Sequence, residues 1–302
     1  MARERTHPLS QSRLYRLGSK SRLIAVLNLS SLEELDALVE AGNTNYRAYT
    51  ESDGRDIQYP IGPLAACHKR LAKLLSRIDV PDYVHSKKGR SYVSNARAHA
   101  NNTPSAKTDI SKYFPSTSFA HVQRFFAEDL KCPKDVAWYL TKLCTFDEHI
   151  PTGSQISNSL AFLSNRPLFD RIYEHALKQG CLMTLLQDDI SISGPAASKK
   201  ILNEILMEIR KFGLRASPKR KKTKTYPASV AKVLTGVIVK GKLVTLPNRR
   251  QKLIVDAYAK AMKAETKVKR TAAILELRGR INEADQIDPS AVQSHHRRLI
   301  QG

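Results

Sequence analysis

Three aspartates carry the chemistry this chain could perform. Residues 181–194, CLMTLLQDDISISG, run apolar up to Gln187-Asp188-Asp189, after which Ile190 and Ile192 alternate with Ser191 and Ser193. That pattern predicts a β-hairpin whose turn presents two adjacent acids. Neighbouring carboxylates repel unless a cation lies between them or beside one of them. Upstream, TDISKYFPS sets Asp109 after Lys107-Thr108 and before Ile110, Tyr113 and Phe114, so Asp109 is expected to end a strand just before a strand-to-helix turn. The N–H groups of such a turn can take phosphate oxygens while the carboxylate takes a metal bridging to the same phosphates. The plainer readings are a solvated acidic turn and a helix-capping aspartate, although Ser116 and Ser118 are better placed as caps. Two magnesium ions, roughly 3.5–4 Å apart, stabilise both attacking and leaving oxygens in phosphoryl transfer. Acids of this kind point to nucleotidyl transfer.

Asp109 and Asp188 are 188 − 109 = 79 residues apart, so only a fold can join them. Ser30-Ser31 before Leu32, Glu33 and Glu34 in the first turn, and Gly42 past the end predict a capped helix. Residues 46–60 alternate around a turn at Ser52-Asp53-Gly54, and Leu64, Cys67, Leu71, Leu74 and Leu75 form a helical stripe. Phe119, Val122, Phe126 and Leu130 predict a buried helix face, and Val136, Leu140, Leu143 and Cys144 a second. A third apolar stretch, 160–177, should be kinked or split by Pro167. Ile201, Ile205, Ile209 and Phe212 mark a helix stopped by Gly213, and 233–244 reads as one hairpin turning at Lys240-Gly241. The last 55 or so residues read as helical and basic. Strands among helices without strict βαβ alternation give an α+β class with a palm-like antiparallel sheet.

Composition fits a polyanionic partner. The chain has 302 residues with 50 Lys plus Arg against 28 Asp plus Glu, a net charge of +22. Such an excess implies nucleic acid or an anionic surface. No apolar run approaches the roughly 18 residues that span a bilayer, and residues 1–22, with six basic residues and one acid, lack the apolar segment of a secretory signal. Cys67, Cys132, Cys144 and Cys181 show no CxxC pair and read as reduced core thiols of a cytoplasmic protein.

Six ordered stretches resemble reverse transcriptases, specifically those of bacterial retrons, over about residues 46–245. YRAYTESDGRDIQYPIGPLAACHKRLAKLL resembles the first fingers block, and HSKKGRSYVSNARAH the next, with the NAxxH signature at Asn95, Ala96 and His99. TDISKYFPS resembles the palm block with the first metal aspartate, and IPTGSQISNSLAFL the Pro-x-Gly-x-x-x-Ser block. LLQDDISIS is similar to the YxDD block, and FGLRASPKRKKTK followed by VLTGVIV resembles the last palm blocks and the VTG signature. The chain departs from the pattern at Leu186 (for tyrosine, with Gln187 variable), Thr152 (for Gln), Asn158 (for Pro) and Leu234 (for Val).

The resemblance implies a right hand: a basic N-terminal helical extension (1–45), fingers (46–108), palm (109–239) and a hairpin with a small helical thumb (240–302). It implies that Asp109, Asp188 and the Ile110 carbonyl hold two Mg2+ ions per active site, with Asp189 shaping the turn and adding charge. Phe114 matches a steric gate against the ribose 2′-OH, and Gly153 a close backbone approach to the incoming base pair. Arg47, Arg55 and Arg90 are candidates for the triphosphate, and Lys222 for the palm lysine, with Lys221 and Lys224 competing in the same run. Lys219, Arg220, Lys221 and Lys224, with Arg249 and Arg250 further on, are candidate nucleic-acid contacts, as are Asn95 and His99; His99 has a structural alternative and no general-base role. Residues 211–224 hold seven basic residues and no acid, and residues 240–302 hold 14 basic and 6 acidic.

Function by resemblance is synthesis of branched RNA-linked single-stranded DNA. The partners are a structured noncoding RNA as template and primer (priming from a guanosine 2′-OH), its cDNA, deoxynucleotides and a separately encoded effector in antiphage defence, with no membrane. The rivals are an RNA-binding scaffold or antitoxin holding an effector inactive, and a group II intron-like or untemplated defence polymerase.

Overall fold

The computed structural model describes residues 6–101 and 103–289. Side-chain caps set the first helices. Ser19 accepts from the Arg22 N–H at the start of α1 (Lys20–Leu27), and Ser31 accepts from the Glu34 N–H at the start of α2 (Leu32–Ala41), which Gly42 ends at φ +49°. β1 (Tyr46–Thr50) and β2 (Asp56–Pro60) form an antiparallel hairpin, and α3 (Gly62–Leu75) buries the expected stripe. α4 (Tyr92–Ala98) opens on a reciprocal Ser91–Ser94 capping box. β3 (Ser105–Asp109) stops at the aspartate, and Lys112, at φ +48°, turns the chain into the single turn α5 (Tyr113–Ser116).

α6 (Phe119–Arg124) passes into a wider π turn at Phe125–Asp129, so the face expected over 119–130 is not one regular helix. α7 (Lys134–Cys144) follows, then α8 (Ser157–Lys178), which contains Pro167 without being split by it. Proline removes one helical hydrogen bond at about 3 kcal/mol, and burial of Leu163, Leu168, Phe169 and Ile172 around it offsets that. β4 (Leu182–Leu186) and β5 (Asp189–Ser193) form the predicted acidic hairpin, and α9 (Lys199–Lys211) ends before Gly213 at φ +91°.

β6 (Lys224–Tyr226) completes a four-stranded antiparallel sheet of order β4-β5-β3-β6. The single hairpin expected over 233–244 is instead a three-stranded meander of β7 (Lys232–Leu234), β8 (Val237–Lys240) and β9 (Leu243–Thr245). The added turn falls at Thr235-Gly236, both at positive φ, the backbone that a tight two-residue hairpin demands. α10 (Asn248–Met262) and α11 (Lys267–Ile287) end the described chain, so residues 290–302 of the expected thumb and 1–5 of the basic arm lie outside the described residues.

These elements make a mixed α+β fold of two units, each discontinuous in sequence. Among the described residues the first comprises 6–81, 110–174 and 206–217; within it α1, α2, α3 and α7 pack on one another beside the β1–β2 hairpin. Among the described residues the second comprises 82–101, 103–109, 175–205 and 218–289 and contains the four-stranded sheet and the meander. Its core joins Val93 and Ala96 of α4 to Tyr226, Leu234, Val237, Val239, Ile254, Ala284 and Ile287. All four cysteines are free and buried. Among the described residues no helix is long and apolar enough to cross a membrane.

Candidate active site

The second unit brings the three aspartates together. In β4 and β5, Met183, Leu185, Ile190 and Ile192 are buried along one face of the pleat, which fixes which way the intervening residues point. Leu186 pairs with Asp189, leaving Gln187-Asp188 as a two-residue turn, and Gln187 takes φ +58°. A side chain in that left-handed region carries strain of order 1 kcal/mol, of the kind that gathers at functional sites. β5 pairs with β3 so that Asp109 lies directly opposite Asp189. Opposed residues of an antiparallel pair project from the same face with Cα atoms about 4.5–5.5 Å apart. Asp188 is the adjoining turn residue.

Burial pushes Asp188 up to about 6, with Asp109 adding to the rise and Lys222 opposing it. Burial likewise pushes Asp189 up to about 6, against the pull of Lys107 and Lys222. Lys222 Nζ donates to Asp109 Oδ2 at 2.8 Å, and that bond raises the lysine's own pKa. Asp109 Oδ1 and Asp189 Oδ1 are buried with no hydrogen-bond partner among the described residues. Unpartnered carboxylate oxygens in one corner mark a place that needs more positive charge than two lysines supply.

Among the described residues no group of three or more His, Cys, Asp or Glu side chains is disposed to hold a metal ion by itself. The corner nevertheless suits magnesium. That ion takes hard oxygen donors and is usually bound through one or two carboxylates, with substrate phosphates completing its shell. The orphaned oxygens of Asp109 and Asp189, with Asp188 beside them, are such donors.

The same face of the sheet stays polar away from the acids. Strand pairing sets Ser105, Lys107 and Asp109 of β3 opposite Ser193, Ser191 and Asp189 of β5, with Thr184 of β4 beside Ser191. Lys107 is buried, donates to the Val233 carbonyl at 2.9 Å, and its pKa is lowered by burial. Sequence reasoning leaves Lys107, Thr184 and the buried Lys232 out of the site. A lysine between Ala106 and Thr108 in a strand with no exposed face is the signal for the first.

With this geometry in hand, the chain compares with known proteins as follows. It is 30% identical over 188 residues to the retron Se72 reverse transcriptase of Salmonella heidelberg, covering 59% of this chain and 48% of that protein. It is 31% identical over 112 residues to the retron Ec48 reverse transcriptase of Escherichia coli, covering 37% of this chain and 28% of that protein. Against the retron Ec86 reverse transcriptase of Escherichia coli it is 27% identical over 179 residues, covering 57% and 56%. The chain is a relative of retron reverse transcriptases. It spans about half the length of the curated relative with the longest match. No protein-family model matches it.

Other motif positions of this retron reverse transcriptase relative fall in different places. In the second unit, Lys222 alone of the basic run turns to the acids; Lys219, Arg220 and Lys221 are exposed, and Lys224 Nζ sits 4.4 Å over the Tyr226 ring. Arg90 bonds the Asp82 carbonyl and carboxylate, bracing the 82–90 loop that pairs with β4 through Val84 and Leu185. Arg249 is exposed, whereas Arg250 lies over the Tyr92 ring at 4.8 Å and bonds Glu283. Asn95 and His99, candidate nucleic-acid contacts by motif, are both fully buried, and both His99 ring nitrogens bond hydroxyls of the acidic hairpin.

In the first unit, Ile110 is buried and bridges to Ala216, and Phe114 packs beside Tyr113 at 5.6 Å. Arg55 is exposed and ion-paired to Glu51 and Asp53 of its own turn, and Arg47 is exposed on β1. Gly153 donates its N–H to the Gln58 carbonyl, and a Cβ there would meet Ile57 Cγ2 at 2.8 Å and Gln58 O at 2.9 Å. The protein's own β2 strand therefore requires this glycine.

Proposed function

We propose that the chain is an RNA-directed DNA polymerase of the retron type. The observation that carries the reading is register: Asp109 stands opposite Asp189 with Asp188 in the adjoining turn, in a relative of retron reverse transcriptases. Asp109, Asp188 and Asp189, with the Ile110 carbonyl, are the proposed ligands of two magnesium ions, Asp189 also shaping the turn and adding charge to the corner. Magnesium, when bound, stabilises the attacking and leaving oxygens of an in-line displacement at the α-phosphate. Lys222 keeps its proton at neutral pH, because its bond to Asp109 raises its pKa, and supplies a cation on the phosphate side. Phe114 is proposed as the gate against a ribose 2′-OH, with Gly153, Arg55 and Arg90 assigned to the nucleotide by motif position.

The remaining assignments follow the resemblance: fingers at 46–108, palm at 109–239 and thumb from 240. The basic side chains of α10 and α11 would hold an RNA stem through shape and phosphates, as duplex RNA is usually bound. Template and primer would come from a dedicated noncoding RNA, giving branched RNA-linked DNA, with an effector protein completing a defence system. The corner of three aspartates disfavours a scaffold that binds RNA without extending it.

The test is extension of a primed RNA by the purified chain with deoxynucleotides and magnesium. Asp188→Asn should abolish synthesis while RNA binding persists, and sequencing of co-purifying nucleic acid should yield one fixed, RNA-linked single-stranded DNA. Undiminished synthesis by Asp188→Asn would refute the catalytic assignment.

A further inference from the structure

Two motif stretches that the proposed chemistry leaves without a task, NARAH at 95–99 and VLTG at 233–236, meet behind the acidic hairpin. His99 is fully buried, with Nδ1 2.7 Å from Ser193 Oγ of β5 and Nε2 2.8 Å from Thr184 Oγ1 of β4. A neutral imidazole has one donor and one acceptor, and either hydroxyl can complement either nitrogen, so both ring positions are satisfied. Behind it, the buried Lys232 donates from Nζ to the His99 carbonyl at 3.3 Å, the Asn101 carbonyl at 3.1 Å and Asn101 Oδ1 at 3.1 Å. Thr235 Oγ1 donates to the Tyr92 carbonyl at 2.7 Å. The 92–101 segment is thus tied at both ends to the strand that carries VLTG.

Burying an ammonium costs several kcal/mol even when its bonds are made, and an apolar residue of similar volume is often equally stabilising. A gain in packing therefore does not explain Lys232. What it secures is position. Thr184, Ser191 and Ser193 share the sheet face that carries Asp189 and Asp109, so His99 grips the far end of the surface that presents the acids. From Ser193 to Asp189 is four strand residues, about 13 Å.

We propose that His99 is a positioning residue: with Lys232 behind it, it fixes β4 and β5 against β3 so that Asp188 and Asp189 stay aligned with Asp109. Its catalytic readout rests on the polymerase reading; its effect on the hairpin does not. Thr184→Val, which removes a hydroxyl and keeps the shape, is the primary variant, with His99→Ala and His99→Gln beside it. In folded variants with unchanged RNA affinity, Thr184→Val and His99→Ala should slow nucleotide addition by about 10-fold or more, the scale of losses when a ligand's supporting shell is removed. The KM for deoxynucleotide should stay within about twofold and the magnesium needed for half-maximal rate should rise, the pattern of lost transition-state alignment. Amide hydrogen exchange should quicken across β4 and β5 and remain unchanged in β1 and β2. His99→Gln, which keeps a donor and an acceptor, should recover part of both effects.

Unaltered exchange in β4 and β5 of folded Thr184→Val would overturn the proposal, as would a uniform rise through the second unit. Full-rate synthesis with unchanged magnesium demand by these variants would overturn it as well. If exchange rises locally but the unmodified chain makes no DNA, the polymerase reading fails and the positioning role stands.

Discussion

Lys222 Nζ sits 2.8 Å from Asp109 Oδ2, so the acidic corner is partly neutralised by a lysine from the turn that leads into β6. Lys222→Ala removes that cation from the acidic corner. Removing one preorganised electrostatic donor typically costs at least about 100-fold, and a loss of that order in single-nucleotide incorporation is expected. Lys222 is half exposed, so the cost in stability should stay under about 1 kcal/mol by thermal unfolding. A fall in melting temperature that accounts for all the lost activity would argue for a structural role.

The acids and the buried histidines pull stability in opposite directions with pH. Burial holds His68 at about 4 and His99 at about 3, below the ordinary imidazole value. Their contribution is complete above about pH 6.5 and is lost on acidification, by about 1.4 kcal/mol per pH unit for each group. Asp188 and Asp189, raised to about 6, do the reverse: they stabilise the metal-free fold below about pH 4, and that gain is lost as pH rises through 6. Asp188→Asn should therefore raise the metal-free melting temperature at pH 7 and steepen its decline between pH 6 and 4. A parallel downward shift at every pH would count against this account.

Gly153→Ala should destabilise the first unit by about 1–3 kcal/mol, because the new methyl meets both Ile57 Cγ2 and Gln58 O. Adding Ile57→Ala should relieve only part of that cost in chemical denaturation, since the clash with the Gln58 backbone oxygen remains.

Charge removal tests the exposed basic turn. Replacing Lys219, Arg220 and Lys221 with serine should weaken RNA binding across sequences and flatten its dependence on salt by about 0.7 for each phosphate no longer neutralised. Arg250→Ala should instead lower the melting temperature, since that guanidinium serves Tyr92 and Glu283. An undiminished salt slope in the triple variant would place the RNA elsewhere.

Phe114→Val should let ribonucleotides compete with deoxynucleotides in primer extension. Discrimination as tight as in the unmodified chain would remove the gate assignment.

Local chemistry makes the acidic hairpin and the α2 caps readable. Ile190 and Ile192 alternating with Ser191 and Ser193 announce a strand, and Ser31 with Gly42 bounds a helix. Register is less accessible, because the pairing of Asp109 with Asp189 depends on chain brought back across 79 intervening residues. The meander is hidden because Thr235-Gly236 reads as the interior of a strand, although a two-residue turn at positive φ accounts for it. Pro167 looks more disruptive in the sequence than in the fold, because buried neighbours outweigh one lost hydrogen bond. The NAxxH stretch suggests that His99 touches RNA or braces the fold, and nothing in the neighbouring residues identifies Thr184 and Ser193 as its partners.

The two faces of β4 and β5 also forbid a particular error. Sliding β5 by one position would drive Ile190 and Ile192 against the imidazole and push serines among Met183 and Leu185. A one-residue misalignment and loss of the apolar core are the same event, so a sheet closed on its isoleucines cannot hold its aspartates one position out of line.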